Sequence, residues 1–515
     1  MKSQIKSGAV LSYVNMFINI LVTAFYTPFM LRMMGQNEYG LYSLVNSVIA
    51  YLSVLDMGFG NAMIRFVSKN QAHNDKKKER EINGVFLMLY MIVGLVALLI
   101  GGILFFNIYN LFGGSLSADE LEKTKVIMIV LIATISLSFP LSIFDSYALA
   151  SERFNFLKIL DIVKRLAIPA TMIPLLFMGG KSITMVIVTS AFTLGFHLIT
   201  MWYCFKKLKM KISLELGNLN KKLIKTISGY SFWVFLNIIV DNVFNNTDQI
   251  ILGSTKGTAV VAVYSIASKI MVLNTSFSTA ISGLFLPRIT KTLEGEDGDK
   301  KVSDIFIKVS RLQMYIMTFI LAAFVVFGKQ FIQLWVGDEY LDAYVITLLL
   351  IGPALIPLTQ NIGISVIQAK NKHQFRSIMF IAIAILNVAI SIPLSISYGG
   401  IGAAIGTLIA NLLGQIITMN IFYWKKIGLD IPRYWKNLLL FCFPVAVLSG
   451  LFYLFVHNMT FGWLKLIAFG ALFGIAYLAI VFLYMNKEEK SFIKKTITFG
   501  KKWFGYSRYL QFVVW

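Results

Sequence analysis

Apolar positions along this chain gather in long runs, not in the short alternations of a sheet protein. Fourteen runs reach the roughly 20 residues that a ~30 Å hydrocarbon layer requires at 1.5 Å of rise per residue. They lie at approximately 8–31, 40–64, 83–107, 126–149, 157–178, 182–205, 226–252, 259–286, 306–328, 343–368, 376–397, 401–424, 437–456 and 462–485. Each predicts a membrane-spanning helix. The first run follows Lys2 and Lys6 directly and is too long for a cleaved leader, so it reads as an uncleaved first span. Asp161, Lys164 and Arg165 load the first turns of 157–178. If they snorkel to the headgroups the count is fourteen; twelve is the fallback.

The basic residues then orient the spans. With a cytoplasmic N-terminus, 39 of the 47 Lys and Arg residues fall in inward segments, seven fall in outward segments, and Lys269 lies within a span. Cytoplasmic segments of membrane proteins carry such an excess, so both termini are predicted to be inside. The outward loops are short; the longest runs from about Leu111 to Lys125. That argues against a glycosyltransferase or polymerase working on the outer face.

Composition agrees. Hydrophobic residues make up 57% and charged residues 14%, against nearer half and a quarter in soluble domains. The predicted class is an all-α polytopic membrane protein. A net charge of +22 would ordinarily suggest nucleic acid. Here the cations sit between apolar runs and point to anionic phospholipid. Cys204 and Cys442 lie far apart inside apolar runs, which excludes a disulfide framework, and His73, His197, His373 and His457 lack ligand spacing. No metal, bound cofactor or catalytic residue is expected.

The chain matches itself at an offset near 222. Tyr13-Val-Asn-Met-Phe-Ile-Asn19 overlies Phe235-Leu-Asn-Ile-Ile-Val-Asp241, and Leu41-Tyr-Ser-Leu44 overlies Val263-Tyr-Ser-Ile266. With a slip of a few residues, Ile173-Pro-Leu-Leu-Phe-Met-Gly-Gly180 overlies the segment from Ile392 to Gly400. This predicts a six-helix repeat over 1–210, a second over 211–430, and two extra helices with a basic tail over 431–515. Repeats of even span number share one orientation, a common transporter plan with the substrate site at their interface.

Three motifs lead nowhere. Gly179-Gly-Lys-Ser182 lacks the upstream glycine of a phosphate loop, that position being Leu175. Gly58-Phe-Gly60 lacks a third glycine, and the acidic run from Glu294 to Asp299 lacks calcium-loop spacing. Polar residues inside spans carry more information, because they are costly there and favour cavities or partners. Asn237, Asp241, Asn245 and Asp248 recur at helical spacing in span 7, and span 1 begins the same stripe with Asn15, Asn19 and Thr23. They read either as polar glue between helices or as the lining of a cavity between the repeats. Asp241 and Lys269 are equidistant from the turn near Thr255, which places them at similar depth and predicts an ion pair. That pair reads either as a permanent bridge or as a switch, with a proton or sodium ion competing for Asp241 or a substrate diphosphate for Lys269. Arg65 and Arg288 occupy matching ends of spans 2 and 8; they snorkel, or they attract a phosphate.

Val54-Leu-Asp-Met-Gly-Phe-Gly-Asn-Ala-Met-Ile-Arg-Phe-Val-Ser68 resembles the signature region of bacterial polysaccharide-repeat flippases of the O-antigen and capsule type. These belong to the multidrug/oligosaccharidyl-lipid/polysaccharide exporter superfamily. The segments from Gln36 to Tyr42, from Asn246 to Gly253 and from Tyr264 to Lys269 are similar to family patterns too. The resemblance implies that an undecaprenyl-diphosphate-linked oligosaccharide is moved from the inner to the outer leaflet of the bacterial cytoplasmic membrane by alternating access. It also implies ion coupling, H+ and Na+ both being open, and a link to polysaccharide assembly machinery. In the related lipid II flippases the last two spans form a groove for the lipid tail, and the same is expected of spans 13 and 14. A drug or cation antiporter of the same superfamily is the alternative, and an integral membrane glycosyltransferase or polymerase a more distant one.

The orientation is directly testable. Reporter fusions after Asn70, Lys211 and Glu296 are expected to report cytoplasm, and fusions after Ser117 and Asp338 the opposite side. A cytoplasmic signal at Asp338 overturns the register of the second half.

Overall fold

The structure, a computed structural model, describes residues 2–213, 221–282, 285–370, 372–457 and 459–491. Its described residues form helices and connecting turns, with no strand among them. The first half comprises α1 (Lys2–Met34), α2 (Gln36–Leu52), α3 (Phe59–Ala72), α4 (Lys76–Phe106), the short α5 (Ile108–Phe112), α6 (Ala118–Ala150), α7 (Phe154–Phe177) and α8 (Ser182–Lys206). The second comprises α9 (Lys221–Thr255), α10 (Thr258–Ser282), α11 (Leu286–Leu293), α12 (Gly298–Trp335), α13 (Asp342–Thr359), α14 (Ile362–Ala369), α15 (His373–Asn411) and α16 (Met419–Phe422). Then follow α17 (Ile431–Val456) and α18 (Trp463–Tyr484).

The described parts of all fourteen apolar runs are mainly helical, but length and apolarity together select eleven stretches. One of these, 374–427, reverses at Gly399, whose φ of 59° no helix permits. The helices α7 and α9 are absent from the eleven. Asp161, Lys164 and Arg165 lower the apolarity of the first, and several side chains in the first turns of the second lie outside the described residues. Among the described residues, length and apolarity thus select fewer spans than the fourteen expected.

The two ends of the bundle turn by different chemistry. At one end the chain reverses through glycines in the left-handed region, at Gly35, Gly179, Gly257 and Gly337. At the other, the left-handed turn residues are Asn74, Glu152, Lys209 and Asp297, with Gly428. Positive φ costs a side-chain-bearing residue energy, least for Asn and Asp, so the second set trades some strain for polar side chains at that end.

The buried apolar clusters divide in the same way. One cluster at the glycine-turn end takes residues from both halves, including Tyr39 and Leu44 of α2, Val261 and Ile266 of α10, Trp335 and Ile351. Toward the other end the cores separate. Phe59, Phe86, Phe144 and Cys204 belong to a first-half cluster, whereas Phe306, Ile362, Phe441 and Tyr477 belong to a second-half one. The glycine-turn end is thus closed and the other end split.

The hairpin α17–α18 packs on α12. Arg311 of α12 reaches Glu489 beyond α18 through Nε at 2.8 Å and Nη2 at 3.0 Å, and Nη2 also donates to the Tyr484 carbonyl at 2.9 Å. Tyr477 donates to the Tyr315 carbonyl at 2.6 Å. Burial pushes the Glu489 carboxyl up, but the Arg311 guanidinium and the Asn486 amide outweigh it and hold it below its ordinary value. Glu489→Gln is expected to cost about 1.5–3 kcal/mol, the range for a hydrogen bond to a charged group. A thermal melt in detergent checks this. A depressed carboxyl stabilises above its unfolded pKa, so the parent's advantage over the variant is expected to fade as pH falls through the folded value.

Candidate functional site

The closed end is built on backbone contact. A Cβ at Gly40 of α2 would overlap the carbonyl of Thr258 at the start of α10, and one at Gly253 would overlap Leu44. Between apolar helices in lipid, close packing and polar contacts replace the hydrophobic drive, and small residues permit both. Polar ties then cross between the halves. The Ser115 hydroxyl donates to the Gly253 carbonyl at 2.6 Å, Thr258 to Glu120 at 2.5 Å, and Ser47 to Gln249 at 2.9 Å. Tyr51 hydrogen-bonds Thr247. The Trp335 indole donates to the Ala24 carbonyl at 2.7 Å, and Gln36 donates to that of Glu339 at 3.2 Å.

Glu38 braces this end from within the first half. It bonds Lys123 at 2.7 Å and accepts from both the amide and the hydroxyl of Ser182. The Gly-Gly-Lys-Ser segment that mimics a phosphate loop thus ends on a carboxylate.

The polar stripes turn toward their own halves. In span 1, Asn19 accepts from Arg165 of α7 at 2.7 Å, while Asn15 is buried with its Oδ1 lacking a partner. In span 7, Asp241 is exposed and feels the charge of Arg376 at the start of α15. That guanidinium lies 4.2 Å from the Phe380 ring centroid. Asn245 is exposed and donates to the Asp241 carbonyl of its own helix at 2.7 Å. The Asn237 side chain lies outside the described residues. The contacts of α9 with the first half instead run through Thr247, Gln249 and Gly253. Adjacent helical positions are 100° apart, so Thr247 and Asp248 point to different halves.

Asp248 is buried, 3% exposed, inside the second half. Its Oδ2 accepts from the Tyr264 hydroxyl and from Thr407 at 2.8 Å, while Oδ1 has no partner. Around it, Thr407 approaches Asn387 Oδ1 at 3.3 Å, and Ser391 reaches the same atom at 2.7 Å and the Ala403 carbonyl at 3.3 Å. One carboxylate and several neutral oxygens converge, the donor set suited to a proton or a small hard cation. Sequence spacing found Asp248 but not Asn387, Ser391 or Thr407, which come from α15, 139 to 159 positions away.

The expected Asp241–Lys269 pair does not form. Lys269 Nζ sits 5.2 Å from the ring centroid of Tyr39, across the boundary between halves, and no salt bridge joins the two among the described residues. Equal depth did not give proximity, because Asp241 faces α15 and Lys269 faces α2. Arg65 and Arg288 are both exposed toward the split end, on α3 and α11, the short helices that follow the breaks in spans 2 and 8. The pattern also missed a charged cluster in the first half, where Asp145 and His197 pair at 2.8 Å.

A groove of about 520 Å³ runs between α12, α13 and α17, lined by Leu321, Val325, Tyr344, Leu355, Val445 and Tyr453 among others. It uses the first of the two appended helices but not α18. The other appended helix, α18, packs against α12 and α17.

Residues 5–293 match the family model described as "Polysaccharide biosynthesis protein". The chain belongs to that family. The chain is also similar to the "Putative O-antigen transporter" of Escherichia coli (strain K12), 24% identical, with 76% of this chain and 90% of that protein covered. Among solved structures, the fold of this chain is similar to "Lipid II flippase MurJ, inward closed conformation", with a TM-score of 0.66 at 15% identity over 93% of this chain and 98% of that one. An inward-facing multidrug resistance transporter of the MATE family gives a TM-score of 0.57 at 16% identity over 82% and 99%.

The closed end makes a direct prediction. In a background lacking Cys204 and Cys442, a cysteine replacing buried Ser47 is expected to resist maleimide. Adding Gly40→Ala, which separates α2 from α10, is expected to make it reactive. Continued protection would show that this backbone contact does not hold the halves together.

Proposed function

We propose that this protein is a flippase that carries an undecaprenyl-diphosphate-linked oligosaccharide repeat unit across the bacterial cytoplasmic membrane by alternating access. The observation that carries the reading is the division of the core: the halves share one cluster at the closed end and keep separate clusters at the split end. A pair of halves packed in this way can rock about a substrate held between them. The excess of basic residues at the split end supports a cytoplasmic setting for it, with both termini inside, and a state that receives substrate from the inner leaflet. Membership of the polysaccharide biosynthesis family and the transporter relatives support transport over catalysis.

Each part of the substrate has a matching surface. The groove between α12, α13 and α17 suits a polyprenyl chain. Arg165 and Arg376 stand at corresponding places, each on the fifth span of its half and directed at the first, and guanidinium geometry suits a diphosphate. Coupling is assigned to Asp248, where a proton or Na+ would be held by Asp248, Asn387, Ser391 and Thr407. Delivery of the repeat unit implies polysaccharide assembly machinery as a partner. A drug or cation antiporter is the second reading, favoured by the exposed Asp241 and Asn245.

Purified protein in vesicles with a labelled lipid-linked oligosaccharide separates these readings. Intact transfer across the bilayer is the expected result; elongation of the sugar would mean a polymerase, and transfer of drugs alone an antiporter. Asp248→Asn is expected to abolish the dependence of transfer on the ion gradient, and Thr407→Val to weaken it. Gradient dependence unchanged in both variants would remove this cluster from coupling.

A further inference from the structure

A second cavity, of about 490 Å³, lies at the split end between the start of α15 and the helical turns around α16. Lys372, Phe375, Thr418, Ile421, Lys425 and Lys426 are among its lining residues. One side of it is cationic. Lys425 and Lys426 are exposed, and Lys372 donates to the Lys426 carbonyl at 2.9 Å. Among the described residues none of the three pairs with a carboxylate; the nearby Lys370 does, bonding Asp299 at 2.7 Å. The first turn of α15 has no side-chain cap, so its amides add the positive end of a long helix dipole.

The other side is apolar. Phe375 stacks on Phe422 with centroids 4.1 Å apart. Exposed Ile417, Ile421 and Trp424 continue the wall along one helix, and exposed Ile378 along the other. Wide π turns at Leu412–Thr418 and Tyr423–Ile427 flank α16, and such turns recur at binding sites. A water-borne anion would use the cations and leave the apolar wall bare. A molecule with an anionic head and hydrocarbon tails uses both.

We propose that this cavity binds an anionic phospholipid, its phosphodiester among Lys372, Lys425, Lys426 and the first amides of α15, and its acyl chains along Ile417, Ile421 and Ile378. Basic pockets between membrane helices at headgroup level have the electrostatics for this. The lipid is a resident of the membrane and its cavity, although it neighbours Arg376, is not lined by that guanidinium, so the inference stands independently of the transport reading.

Native mass spectrometry of the full chain in detergent tests it, with dioleoylphosphatidylglycerol, dioleoylphosphatidylcholine and inorganic phosphate as probes. One phosphatidylglycerol is expected to be retained in preference to phosphatidylcholine, and millimolar phosphate is expected not to displace it. The double variant Lys425→Gln/Lys426→Gln is expected to raise the lipid concentration for half-retention about tenfold or more. Ile421→Trp, which fills the apolar wall without changing charge, is expected to weaken retention too. Lys206→Gln/Lys207→Gln removes the same charge at the end of α8 and is expected to leave retention unchanged. The proposal is overturned if either cavity variant binds like the parent, if the α8 variant loses as much, if the two lipids are retained equally, or if phosphate displaces the lipid.

Discussion

The backbone of Gly40 resting on the carbonyl of Thr258 is the contact on which the arrangement of the two halves depends. A side chain at that point would push α2 from α10 and open the cluster that the halves share. Because lipid is as apolar as the helix surfaces, hydrophobicity does little to choose between joined and separated halves. Close approach and a few hydrogen bonds decide. That balance suits a molecule that must both hold a seal and release it.

The polar groups inside the spans follow from the same solvent. Each must find a partner or a cavity, since hydrocarbon offers none. In this protein most find it within their own half. Asn19 meets Arg165, Asp241 is drawn to Arg376, and Asp248 is enclosed by Tyr264, Thr407 and their neighbours. Satisfying charges locally leaves each half able to move as a unit, while the ties between halves are mostly neutral hydroxyls, amides and carbonyls around the closed end, with Glu120, Arg32 and Lys269 as charged exceptions. Breaking such ties costs far less than separating a buried ion pair.

The appended hairpin has a different logic. It is strapped to α12 by Arg311 and Glu489, yet α17 leaves a groove beside α13. A hairpin anchored at its end and open along its flank can accept a long chain without leaving the core.

The sequence by itself determined the class of this protein. Runs of apolar residues long enough to span a bilayer admit little except helices, because every backbone amide must be satisfied within its own segment. Motif order alone was enough to suggest the family. The polar positions of spans 1 and 7 were legible as helical stripes, since a 3.6-residue period needs no knowledge of neighbours. Which way those stripes point was not legible. Asp241 was matched to Lys269 by depth, and depth is one coordinate of three; rotation about the helix axis sent one to α15 and the other to α2. The companions of Asp248 were hidden for a related reason: Asn387, Ser391 and Thr407 are unremarkable polar residues in distant helices, and only the packing of α9 against α15 brings their oxygens to one carboxylate. Composition and period fix what each helix is, whereas contact between helices depends on small residues and crossing geometry that no single segment encodes.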